Sequence, residues 1–198
     1  MKRLDDLALL IGKIASDQRF LPTDHALILY HTGIVQESLA NPPANVTGFD
    51  PIDDDAEFDE WFGDEPKLAG TLGILIPRQQ AAGLWTVERV VALDGYGPLL
   101  YTILAELAAR NGAVLIPSAS RSEEADLVWG KFHRNPFVER VPTAASQLGF
   151  GVVGNGTLDF TEAVRADAAF QAELTPDDRR ILVESAAWWC DMAMKLLD

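Results

Sequence analysis

Gly95 and Gly97 stand one residue apart in Asp94-Gly95-Tyr96-Gly97-Pro98, between a β-branched segment, Leu84 to Ala92, and a helical one that opens at Pro98. A strand that ends in Gly-x-Gly and leads into a helix points successive backbone N–H groups and the positive helix end at one place. Anion binding is the chemistry that suits such a place. The dinucleotide fingerprint needs a third glycine three residues after the second, where this chain has Leu100, and no Gly-Lys-Ser/Thr follows to make a P-loop. Two residues work against the anion: Pro98 has no N–H to give, and Asp94 adds a negative charge beside the seat, opposing a phosphate by about 1 kcal/mol or more at close range.

Other groups that carry chemistry are sparse. The acidic run Asp50-Pro51-Ile52-Asp53-Asp54-Asp55-Ala56-Glu57 lacks the in-register Gly and Glu of a calcium loop. His25 and His31 do not have the spacing of a helical metal pair, and the single Cys190 excludes an intramolecular disulfide and a cysteine-rich metal site. No metal is expected. Lys131, His133 and Arg134 form the basic cluster of this half of the chain, for which a solvated helix end is the ordinary explanation.

The elements that must hold the glycine turn are legible in outline. A chain of 198 residues with 48% hydrophobic residues can bury a core of one domain's size. Its formal charge of −14 argues against a general nucleic-acid surface. The apolar run after Met1-Lys2-Arg3 is broken by Asp5-Asp6 and is too short for a leader or a membrane span, so a cytoplasmic location is expected.

Leu7, Leu10 and Ile14 fall on one helical stripe and predict a helix from Leu4 to Ile14, while residues 26–30 read equally as a short strand or a helical turn. Residues 41–66, rich in Pro, Asp and Glu, read as an acidic insertion with Phe58, Trp61 and Phe62 as anchors. Leu72 to Ile76, closed by Pro77, and Leu84 to Ala92 predict an antiparallel hairpin. Leu99, Ile103 and Leu107 predict a helix from Pro98 to Asn111-Gly112, with Glu106 and Arg110 as a surface pair. A short strand over 113–117 then completes a parallel crossover.

Ser122 caps a helix whose buried stripe is Ala125, Val128, Trp129 and Phe132. Residues 137–141 read as a strand, and Asn155-Gly156 as the turn of a hairpin between 151–153 and 157–160. A last helix begins at Thr175-Pro176, and its Trp188, Trp189, Met192 and Leu196 exceed what one buried face needs, which suggests a protein partner or a second copy. The expected division is a domain over 1–150 with an extension over 151–198 packed on it.

Ala92-Leu93-Asp94-Gly95-Tyr96-Gly97, with the helix after it, resembles the acetyl-coenzyme A signature of the GNAT acyltransferase superfamily, Arg/Gln-x-x-Gly-x-Gly/Ala after the fourth strand. The resemblance covers about residues 68–145 and includes the hairpin, crossover helix, strand and helix. It implies an α/β (α+β) fold with a mixed sheet whose central strands splay around the pantetheine of acetyl-CoA. The cofactor-binding residues it implies are Val90, Val91, Ala92, Gly95, Tyr96, Gly97 and Leu99, with the pyrophosphate on the turn.

The family's chemistry, acetyl transfer to an amine, implies Glu88 as base. Its usual acid, a tyrosine on the helix after the fifth strand, has no counterpart in Val128-Trp129-Gly130-Lys131-Phe132-His133, which leaves Tyr96 and His133 as the acids, with Tyr101 a further phenol inside the crossover helix. Ala92 stands where the family has Arg or Gln.

Asp94-Gly95-Tyr96-Gly97-Pro98-Leu99-Leu100-Tyr101, with the later Glu123-Glu124-Ala125-Asp126-Leu127-Val128-Trp129, is similar to divergent GNAT-like proteins of tailed bacteriophages. Two functions are therefore expected as alternatives. One is an acetyl-CoA-dependent N-acyltransferase. The other is an inactive GNAT-like structural or interaction protein, in a virion or bound to a host partner in the host cytoplasm.

Overall fold

A computed structural model describes residues 4, 7–13, 25–40, 70–80, 83–93, 95–179, 181–182 and 185. The chain is a mixed α+β protein built on one seven-stranded sheet, in the order β1-β2-β3-β4-β5-β7-β6. Its strands are β1 (Ala8–Lys13), β2 (His25–Tyr30), β3 (Thr71–Gln80), β4 (Leu84–Ala92), β5 (Val114–Leu115), β6 (Val138–Pro142) and β7 (Phe150–Gly154). The helices are α1 (Thr32–Ala40), α2 (Gly97–Arg110), α3 (Glu123–Lys131) and α4 (Thr161–Glu173). Among the described residues only β4 and β5 pair in parallel; every other neighbouring pair is antiparallel.

The helix expected from Leu4 to Ile14 is instead the strand β1. Leu7 and Leu9 enter the core on the α2 side of the sheet, while Ala8 enters the core on the other side. A strand buried on both faces shows a run of apolar residues rather than an alternation, so its period cannot be told from a helix. Both faces are covered because α4 lies against β1, giving Ala163 to the first core and Phe170 to the second. Tyr30 ties α4 down: it is fully buried, its hydroxyl donates to Asp167 at 2.6 Å, and burial first and Asp167 second push its phenol well above the ordinary value. Residues 26–30, readable either way, are the strand β2.

Pro77 does not close β3, which continues to Gln80. Ile76 faces Arg89 and Pro77 faces Val87, so Glu88 is an extra residue, a β-bulge on β4. A proline is tolerated at such a break because the ladder there already lacks a regular bond. The bulge also shifts the phase of β4: Trp85 and Val87 face the α2 core before it, Val90 and Ala92 after it.

The crossover helix and the capped α3 form as their sequences predict. Gly112, at φ 68°, follows Asn111 at the end of α2, and Ser122 accepts from the Ala125 amide at 3.3 Å at the start of α3. The Asn155-Gly156 turn does not make the expected hairpin. β7 pairs with β5 and β6, and residues 157–160 lead into α4, which the sequence reading did not foresee. Asn155 helps turn the chain, accepting from the Thr157 amide at 3.1 Å and donating to the Pro136 carbonyl at 2.8 Å.

Glu106 is likewise not a surface residue. It is 3% exposed, with Arg110 at 3.1 Å and the Gly156 amide at 3.0 Å as its partners. The acidic insertion over 41–66 and the aromatic end of the last helix lie outside the described residues. Thr175 opens that helix, accepting from the Asp178 amide at 3.1 Å.

Gly154 lets α2 come down onto β7, since a Cβ there would overlap the backbone and carboxylate of Glu106. Gly154→Ala should lower unfolding stability by about 3 kcal/mol or prevent folding, a cost of overpacking against an immobile backbone that urea denaturation would measure.

Candidate functional site

β4 and β5 pair at Leu84 with Val114 and at Trp85 with Leu115, and one more bond follows, from the Ile116 amide to the Trp85 carbonyl at 2.8 Å. β4 runs on to Ala92, while its ladder with β5 ends here and the buried Pro117, which has no N–H to add to it, follows. Beyond β4 the chain enters α2 and beyond β5 it enters α3, and the carboxyl ends of parallel strands are where open α/β sheets place ligands.

The glycine turn is one wall. Gly95 sits at φ 85°, a left-handed conformation that glycine adopts without strain. The Tyr96 amide donates to the Leu93 carbonyl and the Leu100 amide to the Tyr96 carbonyl, both at 3.0 Å. Among the described residues no side chain caps α2, and Pro98 supplies no donor. Nor does any described residue accept from the Gly97 and Leu99 amides, which belong to the first turn, where a helix has no partners of its own for its N–H groups. Asp94 lies outside the described residues.

Ala92 is small for a local reason. Gly73 faces it across β3 and β4, and a Cβ on Gly73 would stand 2.7 Å from the Ala92 methyl and 2.9 Å from Leu100 Cδ1. Val90, Ala92, Tyr96 and Leu99 gather on the α2 side of the sheet, whereas Val91 points to the other core with Ile74. The expected binding row of Val90, Val91 and Ala92 is therefore split between two faces by ordinary strand alternation.

The candidate proton-transfer groups are placed differently. Glu88, at the bulge, stands four residues before Ala92, about 13 Å at the rise of a strand. Its side chain is 28% exposed and pairs with Arg78 at 3.3 Å. His133 is exposed, with Nδ1 2.7 Å from the Gly130 carbonyl and Nε2 accepting from Arg134 Nε at 3.0 Å. That pair of bonds needs the neutral Nδ1–H tautomer. Tyr96 is half-buried against the core at the N-cap of α2. The structure brings Ala92, Gly95, Tyr96, Gly97 and Leu99 together and leaves Glu88 and His133 engaged with their own neighbours.

Thr102 and Asn135 were not in the site read from the sequence. Thr102, fully buried, donates to the Pro98 carbonyl at 2.7 Å and accepts from Asn135 Nδ2 at 2.8 Å, tying the first turn of α2 to the chain after α3. A threonine four residues after Pro98, inside an apolar helix, was the signal available. Tyr101, one position before it, packs edge-on to Trp129 and Phe132. Burial pushes its phenol up to about 12, with Arg121 pulling down and Asp126 pushing up.

Among the described residues no group of three or more His, Cys, Asp or Glu is placed to hold a metal, and no helix is long and apolar enough to cross a membrane. Comparison of the chain with protein-family models, with curated proteins and with solved structures finds no match.

Thr102→Val keeps the shape and removes the bonds to Pro98 and Asn135; the expected cost is about 1–2 kcal/mol in urea denaturation, with Asn135 Nδ2 losing its acceptor. The Tyr101 phenol, raised in the folded state, holds its proton where the unfolded chain loses it. Its share of stability is complete below pH about 10 and disappears as pH rises through about 12. Wild type should therefore lose about 1–2 kcal/mol more than Tyr101→Phe between pH 9 and pH 11.5 in paired denaturation curves.

Proposed function

We propose that this chain is a GNAT-like N-acyltransferase that takes its acyl group from acetyl-coenzyme A. The observation that carries the reading is that the parallel β4–β5 ladder covers only Leu84 and Trp85 of β4, which continues to Ala92 and into the glycine turn and α2. The hairpin, crossover helix and parallel partner that the resemblance implies are all present in that order, which supports the same reading.

The residues fit the coenzyme through main chain rather than side chain. Gly97 and Leu99 offer amides to the pyrophosphate, and Val90 and Ala92 give an apolar wall for the pantetheine. The coenzyme would supply the acyl group as a thioester: an amine attacks its carbonyl carbon and gives a proton to a base, the C–N bond forms as the C–S bond breaks, and coenzyme A leaves as a thiolate that takes a proton from an acid or water. Glu88 takes the role of base on release from Arg78, and Tyr96 stands at the turn as a hydrogen-bond donor.

The second reading, a GNAT-like module without catalysis in a phage particle or bound to a host protein, draws on a specific observation. Glu88 and His133 are both tied up by arginines, which blunts a base and an acid alike.

Isothermal titration with acetyl-coenzyme A should give a saturable heat at micromolar to high micromolar ligand, and a flat trace there rules the coenzyme out. Saturable binding without amine acetylation across a panel of polyamines and lysine peptides would select the second reading.

A further inference from the structure

β6 is the outer strand of the sheet, and among the described residues it pairs with β7 alone. Its Glu139, Arg140 and Pro142 are exposed. Which way its main chain points follows from the bonds at its two ends. The Asn155 amide donates to the Phe137 carbonyl and the Thr143 amide to the Gly149 carbonyl, each at 3.1 Å, so residues 137 and 143 face β7. Along a strand of an antiparallel pair such groups alternate. Glu139 and Val141 therefore also face β7, while Val138, Arg140 and Pro142 turn their main-chain groups outward, Pro142 with its carbonyl alone.

The charge along this border runs against that of the whole chain. There are 30 Asp and Glu against 16 Lys and Arg overall, yet from residue 131 to 142 the chain has Lys131, Arg134 and Arg140 against Glu139 alone. The 3-10 turn Phe132–Arg134 packs against β6 on the α2 side, where Phe132 and Val138 share the larger core. No carboxylate among the described residues pairs with Lys131, Arg134 or Arg140. Arg134 uses its Nε on His133 at 3.0 Å, and Arg140 lies with Cζ 3.5 Å from the centre of the Phe150 ring, a cation–π contact that uses none of its N–H donors. A second copy of the chain is a poor occupant of this edge. Two-fold pairing centred on residue 139 sets Glu139 against its own counterpart, and pairing centred on residue 140 does the same with Arg140. Centred on Val141, it sets Arg140 against Pro142, which has no amide to return.

We propose that the outer edge of β6 is a docking strand for an extended acidic segment of another protein, added antiparallel, with Asp or Glu at alternate positions on the α2 side and uncharged residues between them. The alternation follows from the pleat. Side chains of the added strand on the α2 side come to the face that carries Arg140 and the basic turn before β6, while those on the other side meet Glu139 and Val141, where a carboxylate would be repelled. The outward amides and carbonyls of Val138 and Arg140 match a polypeptide main chain and not a phosphate backbone, which sets this partner apart from a nucleic acid. Pro142 and the charged side chains guard the edge against its own kind and leave it open to a strand of complementary charge. This surface is independent of the acyltransferase reading and stands whether or not coenzyme A binds.

The test is fluorescence anisotropy with two labelled peptides of one composition, the first with Glu and Thr in alternation and the second with its Glu residues consecutive. They are titrated with wild type and with the double variant Lys131→Gln/Arg134→Gln, whose replaced side chains are exposed and whose Tm should match wild type. Wild type should bind the alternating peptide about ten-fold more tightly than its isomer, and the variant should bind it about five-fold more weakly than wild type does. At saturation, hydrogen exchange of the Val138 and Arg140 amides should slow by about ten-fold or more. Equal affinity of wild type for the two peptides, or binding that leaves those amides exchanging as before, overturns strand addition. A single-stranded oligonucleotide of the same charge that displaces the peptide at the same concentration makes the border a general polyanion surface and likewise overturns the proposal. So does a flat titration with the alternating peptide up to about 1 mM protein.

Discussion

How closely α2 lies on the sheet governs most of what this molecule can do. Two glycines set that distance. Gly73 on β3 leaves room for Leu100 near the start of the helix, and Gly154 on β7 leaves room for Glu106 further along. Resting on both, α2 spans β3, β4, β5 and β7 and seals the larger core with Leu99, Leu100, Ile103 and Leu104, each 1% exposed or less. A buried carboxylate is costly unless its lone pairs are used. Glu106 uses them on Arg110 and on the Gly156 amide, which fixes the turn between β7 and α4.

The same seating determines the character of the glycine turn. With α2 this low, its first turn meets β3 and β4 directly, and Ala92 is held small between Gly73 and Leu100. Support for the turn comes instead from below and from the side: Thr102 clasps Pro98, and Asn135 clasps Thr102. A helix start held by buried hydrogen bonds keeps its free amides in fixed directions, the condition under which main-chain donors act on a ligand without reorganisation.

Much of the sheet around the turn was legible in the amino-acid sequence, because the signals there are local. Gly-x-Gly, Pro98, Asn111-Gly112 and Ser122 each impose a backbone conformation on their own residues. What escaped was decided at a distance. β1 looked helical because α4, lying along it and giving side chains to both cores, erased its alternation. Glu106 looked exposed because its surroundings come from far along the chain: Gly154 lets α2 down onto β7, and Gly156, fifty residues on, gives it an amide. The bases and acids could be named from their types, but the arginine that engages Glu88 stands on the neighbouring strand, and His133 meets Arg134, the very next residue, through the bend of the chain at the end of α3.

The bulge at Glu88 bears on how this chain tolerates change in length. In a central strand, gaining or losing one residue turns every later side chain to the wrong face. Here one such extra residue is built into β4, and the second half of the strand is written in the opposite phase to the first. Glu88 is the one place where the count can fall without harm to the pattern: with it deleted, Val87 would be followed by Arg89, opposite Pro77 and Ile76, and Val90 and Ala92 would still face α2 with Val91 on the other side. Deleting any one residue from Arg89 to Ala92 instead would turn the segment before it inside out relative to the glycine turn. The irregularity is thus a reserve of length in the middle of the sheet, and what a descendant would give up with it is the carboxylate that meets Arg78.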